Sequence, residues 1–127
     1  MGRYQGFGTI VGCIDGRSCR LVSDWLTMRY DVKFPDMVTE EGIIKYISEG
    51  CQEIIERVKR KTNISRENHN SPVMVIVGHG DCAANPGLRE EQVRQVYDSY
   101  EVIKTWGRFQ YEHGLWIDES FNLEVIF

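Results

Sequence analysis

Residues 73–82 read VMVIVGHGDC, five apolar residues followed at once by small and polar ones. A short, uninterrupted apolar run that is rich in β-branched residues is typical of a parallel strand covered on both faces. Residues 7–14, FGTIVGCI, form a second run of this kind and lead into the turn residues 15–17, DGR. The two runs predict two buried strands, and each of them ends beside side chains that can carry chemistry.

Two amphipathic helices are predicted between these runs. Ser18 can cap a first helix that reaches about residue 29. Thr39 can cap a second helix that continues to about residue 58, with Glu40 and Glu41 in its first turn, where the helix dipole favours anions. Apolar residues recur at helical spacing along this second segment, which is the clearest amphipathic pattern in the chain.

The remaining segments complete an alternation of strands and helices. Residues 32–38 predict a weaker strand, and Pro35 favours an edge position for it. The other predicted elements are a polar loop at 63–71, a loop at 79–87, a helix at 88–106 and two closing strands at 108–117 and 123–127. This order predicts one α/β domain over residues 1–127, with a mainly parallel sheet of strand order 2-1-3-4, an antiparallel edge strand and helices on both faces.

The composition of the 127-residue chain is that of a soluble globular protein, with 42% hydrophobic and 27% charged residues. The net charge of −4 and the absence of a basic block argue against a nucleic-acid-binding protein. No run approaches the roughly 18 apolar residues of a membrane span. No signal-peptide pattern precedes the first strand, so the predicted location is the cytoplasm. There the four cysteines are expected to stay reduced, as free thiols or as metal ligands.

Three soft ligands follow the two buried strands. Cys13 ends the first strand, and His79 and Cys82 follow the strand at 73–77. Ligands of open α/β sheets bind beyond the carboxyl ends of the strands, where the chain order switches direction, so these loops should meet. Two thiolates and an imidazole favour zinc over magnesium or calcium, and three protein ligands leave a fourth position for water. Taken alone, Cys13 is equally well explained as a small buried hydrophobe.

Two charged residues lie close to Cys13 in the sequence. Asp15 can accept a hydrogen bond from a zinc-bound hydroxide, or it can become the fourth ligand and close the site. Arg17 can hold this carboxylate by a bidentate pair and so decide between the two states. The alternative is a turn aspartate with a structural salt bridge. Asp81 lies either near the zinc or at a capping position of its loop. Cys19 and Cys51 are interpreted as packing residues.

The two motifs together resemble a known family. Cys13-x-Asp15-x-Arg17 followed by His79-x-x-Cys82, each at a predicted strand end, is similar to the pattern of the β-class carbonic anhydrases. The resemblance runs from about residue 7 to 82. It implies that Cys13, His79 and Cys82 bind Zn²⁺, that Asp15 and Arg17 form the orienting pair, and that zinc-bound hydroxide hydrates CO₂ reversibly to bicarbonate. It also implies a homodimer or a higher homo-oligomer.

The sequence departs from this family in two places, as a short, divergent branch would. The family usually has an R-N-A-G stretch after its second strand, whereas residues 37–42 here read MVTEEG, and the two glutamates change the field near the metal. Only about six residues precede the first strand, so the family's N-terminal helical arm is not expected. Two alternative functions follow: a zinc hydrolase of carbonyl sulfide or carbon disulfide, and a non-catalytic zinc-binding protein.

Overall fold

The computed structural model describes residues 5–127, and the first four residues of the predicted domain lie outside this range. Its elements in chain order are β1 (Phe7–Gly12), α1 (Gly16–Tyr30), β2 (Phe34–Thr39), α2 (Ile43–Ser48), α3 (Gln52–Glu67), β3 (Val73–His79), α4 (Arg89–Ile103), a 3-10 turn (Lys104–Trp106), β4 (Tyr111–Ile117) and β5 (Leu123–Val125). Within the described range no helix combines the length and the apolar character that crossing a bilayer requires.

The five strands form one sheet in the order β2-β1-β3-β4-β5. The first four strands are parallel, and β5 pairs antiparallel with β4. The predicted α/β class, the order 2-1-3-4 and the antiparallel edge strand are therefore confirmed. Pro35 lies in β2 at the edge of the sheet, the position that tolerates a residue without a backbone N–H.

The central strand β3 is buried along its whole length because both faces of the sheet are covered. Val75 and Val77 pack on the side of α1, against Val22 and Leu26. Met74 and Ile76 belong to the opposite core, and that core is completed mainly by side chains of α2, α3 and α4. Alternate residues of β3 thus serve two different cores. The uninterrupted apolar sequence at 73–77 has this physical origin.

The single helix predicted from Thr39 to about residue 58 is wrong. β2 continues through Thr39, which pairs with Gly12 of β1, so Thr39 is not an N-cap. Helix α2 begins only at Ile43, after Gly42 in the left-handed conformation, and Gly50 with φ of 77° separates it from α3. A left-handed backbone cannot continue a right-handed helix, so the amphipathic pattern spans two helices.

Two further boundaries differ from the prediction. α1 begins at Gly16, and its N-cap is Asp15 rather than Ser18, because the Asp15 side chain accepts a hydrogen bond from the backbone N–H of Arg17. The predicted polar loop at 63–71 is helical as far as Glu67. Polar residues there do not indicate a loop, since Ser65 is buried and its hydroxyl lies 2.6 Å from the Thr9 hydroxyl of β1.

Glu40 lies outside any helix, between β2 and α2, and it is held by two cations of α3. Its carboxylate accepts hydrogen bonds from Arg57 Nη2 at 2.9 Å and from Lys61 Nζ at 3.3 Å. Only 12% of its side chain is exposed. The hydrogen bond from Arg57 is the main cause that lowers the pKa of Glu40, and Lys61 adds to it. This ion-pair group fixes the β2–α2 corner against α3.

Replacing Glu40 by glutamine is expected to lower the free energy of unfolding by about 1–2 kcal/mol at neutral pH, because two charge-assisted hydrogen bonds are weakened. The lowered pKa in the folded state means that this contribution is present above the unfolded value of about 4.3 and is lost as pH falls through the folded value. The difference between wild type and variant in urea unfolding should therefore shrink below about pH 4. Glu53→Gln is the matched control, since Glu53 also contacts Arg57 but is 84% exposed. An equal loss in both variants would contradict the assignment.

Candidate metal centre

The three predicted ligands meet beyond the carboxyl ends of β1 and β3. Cys13 follows the last residue of β1, His79 is the last residue of β3, and Cys82 lies three residues further on. The two strands are parallel neighbours, so both chain ends leave the sheet at the same edge. One donor atom from each side chain lies within 4.8 Å of the others, and all three residues are buried. Donor atoms this close together can hold one metal ion.

Of the two ring nitrogens of His79, one is hydrogen-bonded to the backbone and the other is not. Nδ1 lies 2.8 Å from the carbonyl oxygen of Gly80. A carbonyl only accepts, so Nδ1 carries the hydrogen and Nε2 carries the lone pair in the neutral ring. Nε2 is buried and has no hydrogen-bond partner among the described residues. A buried nitrogen in this state is costly unless a ligand completes it, and a metal ion is the ligand that suits it.

The two thiols lie side by side, with 3.9 Å between Cys13 Sγ and Cys82 Sγ. Burial favours the neutral form of Cys13, but the adjacent His79 ring and the backbone N–H groups of Gly42 and Asp15 outweigh it and lower the pKa of Cys13 to about 7. Burial and the neighbouring Cys13 sulfur raise the pKa of Cys82. The Cys13 thiol is therefore more acidic than an ordinary cysteine even without a metal, and a bound divalent cation would supply the charge that favours ionisation of both thiols.

Gly42 joins the β2–α2 corner to both cysteine loops. Its backbone N–H donates to Cys13 Sγ at 3.5 Å. Its φ of 58° is in the left-handed region, and a Cβ at this position would lie 3.0 Å from the carbonyl oxygen of Ala84, two residues after Cys82. Only glycine combines this backbone conformation with such a close approach.

Gly42→Ala is expected to lower the free energy of unfolding by about 1–2 kcal/mol through backbone strain. It should also weaken zinc binding by about tenfold, because the added methyl group pushes the Cys82 loop away. Gly50→Ala is the matched control: its φ is 77°, but nothing lies within 4 Å of the added Cβ. Zinc competition with a chromophoric chelator measures the difference. Equal zinc affinity in the two variants would show that the contact with Ala84 is unimportant.

The two charged residues after Cys13 form a bidentate pair. Asp15 Oδ1 accepts from Arg17 Nε at 3.0 Å, and Oδ2 accepts from Nη2 at 2.6 Å. These hydrogen bonds are the main cause that lowers the pKa of Asp15 to about 2. Asp15 is not part of the cluster of donor atoms around Cys13. The structure therefore has this carboxylate turned to Arg17, which is one of the two states that the sequence left open.

Asp81 provides a second anchor for Arg17. Arg17 Nη1 lies 3.2 Å from Asp81 Oδ2, and Nη2 lies 3.3 Å from the Asp81 carbonyl oxygen. Asp81 is also a non-glycine residue with a left-handed backbone, with φ of 53°. One guanidinium thus bridges the loop after β1 and the loop after β3. The Asp81 side chain is therefore a partner of Arg17.

An open cavity of about 250 Å³ lies beside the cluster. It is lined by Cys13, Ile14, Asp15, Glu41, Ala83 and Ala84. Four of these six residues carry small or apolar side chains, and Glu41 brings a carboxylate that the sequence had placed inside a helix. The departure of residues 37–42 from the R-N-A-G pattern predicted that both glutamates lie near the metal; in the structure Glu41 lines this cavity, whereas Glu40 pairs with Arg57 and Lys61.

Behind the cluster, a buried network of amide side chains supports the loop that carries Cys82. Asn85 Nδ2 donates to Gln95 Oε1 at 2.7 Å, and Gln92 Nε2 donates to the Asn85 carbonyl at 3.0 Å. Trp116 Nε1 donates to Gln92 Oε1 at 2.9 Å. The sequence does not reveal this network, because a glutamine on an amphipathic helix is ordinarily exposed to solvent.

The other two cysteines lie outside the cluster, as their interpretation as packing residues requires. Cys19 is on α1, half-buried, and its thiol donates to the carbonyl oxygen of Cys13 at 3.6 Å. Cys51 is the N-cap of α3 and makes no side-chain capping bond. Neither side chain contributes to the set of donor atoms around His79.

Comparisons with known proteins agree with this architecture. A search of solved structures finds β-carbonic anhydrase isoform I of the protozoan Trichomonas vaginalis, with a TM-score of 0.58 and 14% identity over 97% of this chain and 82% of that one. It also finds the β-carbonic anhydrase CafA of the fungus Aspergillus fumigatus, with a TM-score of 0.52 and 16% identity over 96% of this chain and 76% of that one. At these identities the similarity is one of fold. A search of curated proteins gave no match. The family described as "Putative carbonic anhydrase" matches residues 3–127, so the chain belongs to this carbonic anhydrase family.

Proposed function

We propose that this protein is a zinc-dependent carbonic anhydrase that converts CO₂ and water reversibly into bicarbonate and a proton. The observation that supports this most directly is the buried cluster of Cys13, His79 and Cys82, with the unpartnered Nε2 of His79, in a chain of the carbonic anhydrase family. The reaction needs a metal site, a positioned carboxylate and room for a small neutral substrate. Each of these has a counterpart in the described residues.

The three donors fit Zn²⁺ in number and in kind. Two sulfurs and an imidazole nitrogen are soft and borderline ligands, and in catalytic sites zinc takes three protein ligands of this type. The hydrogen bond from Nδ1 to Gly80 fixes the tautomer of His79 that such a ligand needs. A bound zinc ion would supply a Lewis acid that lowers the pKa of water toward about 7.

Asp15 is the proposed acceptor for a water molecule in the cavity. With its pKa at about 2, it is ionised throughout the neutral range. Oδ1 accepts from the backbone N–H and from Nε of Arg17, and Oδ2 accepts its short hydrogen bond from Nη2, so Oδ2 is the oxygen that can also accept from water. Arg17, held in turn by Asp81, keeps the carboxylate from rotating. Asp15 thereby orients the attacking oxygen while CO₂ lies against Ile14, Ala83 and Ala84.

The test is stopped-flow CO₂ hydration by protein that carries about one zinc per chain, from about pH 6 to 9. Saturable activity that disappears when the metal is removed by a chelator and returns with added zinc would support the proposal. Protein that holds zinc but neither hydrates CO₂ nor releases sulfide from carbonyl sulfide would contradict it and would favour a non-catalytic zinc-binding role. Activity with carbonyl sulfide but not with CO₂ would show that the proposed substrate is wrong and that the proposed catalytic site is right.

We also propose that the protein is a homodimer or a higher homo-oligomer. β5 is at the edge of the sheet, and Val125 on it is 48% exposed. An open strand edge with apolar side chains favours pairing with another strand. Size-exclusion chromatography with light scattering, at micromolar and lower concentration, measures the mass directly. A monomer at all concentrations would contradict the proposal.

A further inference from the structure

The two adjacent glutamates between β2 and α2 have opposite surroundings. Glu40 is nearly buried and is neutralised by Arg57 and Lys61. Glu41 is exposed and lines the cavity beside Cys13 and Asp15. Its carboxylate has neither a hydrogen-bond nor an ion-pair partner among the described residues. Glu41 therefore does not contribute an ion pair to the fold, and its charge acts on the cavity.

The side chains near this cavity carry an excess of negative charge. Asp15 and Glu41 line the cavity. Asp15 and Asp81 both form ion pairs with Arg17, which is the one cation of this group of four residues. Among the described residues, no lysine or arginine lines the cavity itself. The group thus consists of three carboxylates and one guanidinium.

The proposed metal does not change this balance. The double positive charge of a zinc ion is offset by the two thiolates of Cys13 and Cys82, and His79 is neutral as a ligand. The field in the cavity is then set by the surrounding side chains. An anion that enters meets a net repulsion, whereas a molecule without charge does not.

We infer that Glu41 determines specificity by charge: it makes the cavity selective for small neutral molecules and weakens the binding of small anions, including bicarbonate. This inference rests on the proposed function, because it concerns what reaches the Cys13–His79–Cys82 site. Such a charge favours release of the product, since an anionic product is bound weakly at the place where it forms. Glu40, which is paired with two cations, cannot have this effect at similar strength.

The experiment measures anion affinity rather than turnover. Azide is titrated calorimetrically into zinc-loaded wild type, Glu41→Gln and Glu41→Lys. We expect the dissociation constant for azide to fall by about fivefold in Glu41→Gln and by a similar factor again in Glu41→Lys, as the Coulomb energy between nearby charges implies. Raising the ionic strength to about 1 M should reduce each difference to less than about twofold, because the Debye length is then about 3 Å.

Glu56→Gln is the matched control. Glu56 is exposed on α3, away from the residues that line the cavity, so this variant changes the net charge by the same amount. It should bind azide as wild type does. Circular dichroism and zinc content should be unchanged in all three variants, because neither Glu41 nor Glu56 has a hydrogen-bond or ion-pair partner within residues 5–127.

The outcomes separate this inference from the proposed function. Zinc-loaded, active protein in which Glu41→Gln leaves azide affinity unchanged would overturn the inference alone. The inference would also be overturned if Glu56→Gln changed the azide affinity as much as Glu41→Gln does, because the net charge of the protein rather than the position of Glu41 would then be responsible. Wild-type protein that does not take up zinc would overturn the proposed function and this inference together.

Discussion

Cys82→Ser is expected to reduce bound zinc from about one ion per chain to a small fraction of that, with a loss of affinity of more than about 1,000-fold. Serine has the same shape as cysteine, but its hydroxyl is a hard, protonated donor at neutral pH and does not replace a thiolate. His79 Nε2 then remains a buried nitrogen without a partner. Metal analysis after exhaustive dialysis measures the loss.

The same substitution should remove the stabilisation that zinc gives to the folded chain. A ligand at about 100 times its dissociation constant contributes about 2.7 kcal/mol, which for a chain of this size corresponds to roughly 10 °C in melting temperature. Wild type should therefore melt about 10 °C higher with zinc than with a chelator, and Cys82→Ser should show no such difference.

Cys51→Ser is the control for the loss of a thiol. Cys51 is the N-cap of α3, a position where serine is a preferred residue. This variant should keep its zinc and should be as stable as wild type or slightly more so. If Cys82→Ser retains a full zinc ion, the proposed ligand set is wrong.

Asp15→Asn should lower CO₂ hydration by about 100- to 1,000-fold while zinc content stays the same. The amide has the size of the carboxylate but no charge, so it accepts weakly from water and loses the bidentate pair with Arg17. Asparagine is as good an N-cap as aspartate, so the start of α1 is preserved. The loss should therefore appear in activity and not in the fold.

Asp24→Asn is the control for this variant. Asp24 lies on the same helix, and its partner in the described part of the chain is Arg20, with which it forms an exposed ion pair. Its replacement should leave activity within about twofold of wild type, as is usual for exposed ion pairs. Full activity in Asp15→Asn would show that the carboxylate does not orient the attacking water.

The fold and the donor set were predictable from sequence for the same reason. A fully apolar strand at 73–77 must be central, and central strands of an α/β sheet end at its functional edge. Sulfur and imidazole ligands at residues 13, 79 and 82, placed at or just after the ends of such strands, therefore indicate a shared site from the sequence alone. Their meeting within 4.8 Å follows from the parallel pairing of β1 and β3.

The region between β2 and α3 was not predictable in the same way. The apolar residues of α2 and α3 keep helical spacing across Gly50, so the pattern alone does not show the break. The partners of Glu40 are Arg57 and Lys61, which lie 17 and 21 residues further along the chain. These contacts hold Glu40 against α3, whereas Glu41 has no such partner among the described residues and lies at the cavity. Local sequence does not show which of two neighbouring glutamates meets a cation.

The spacing of the two cysteines along the chain has a kinetic consequence. Cys13 and Cys82 are 69 residues apart, and their loops meet only after β1 and β3 have paired across a crossover. A chain that is still searching for this pairing has no preformed site, and closing so long a loop is slow. If zinc binds as proposed, its contacts would therefore stabilise the native state more than the folding transition state, so the ion would retard unfolding and leave the rate of folding almost unchanged. The proposed ion would then act on the lifetime of the folded sheet rather than on the speed with which the sheet forms.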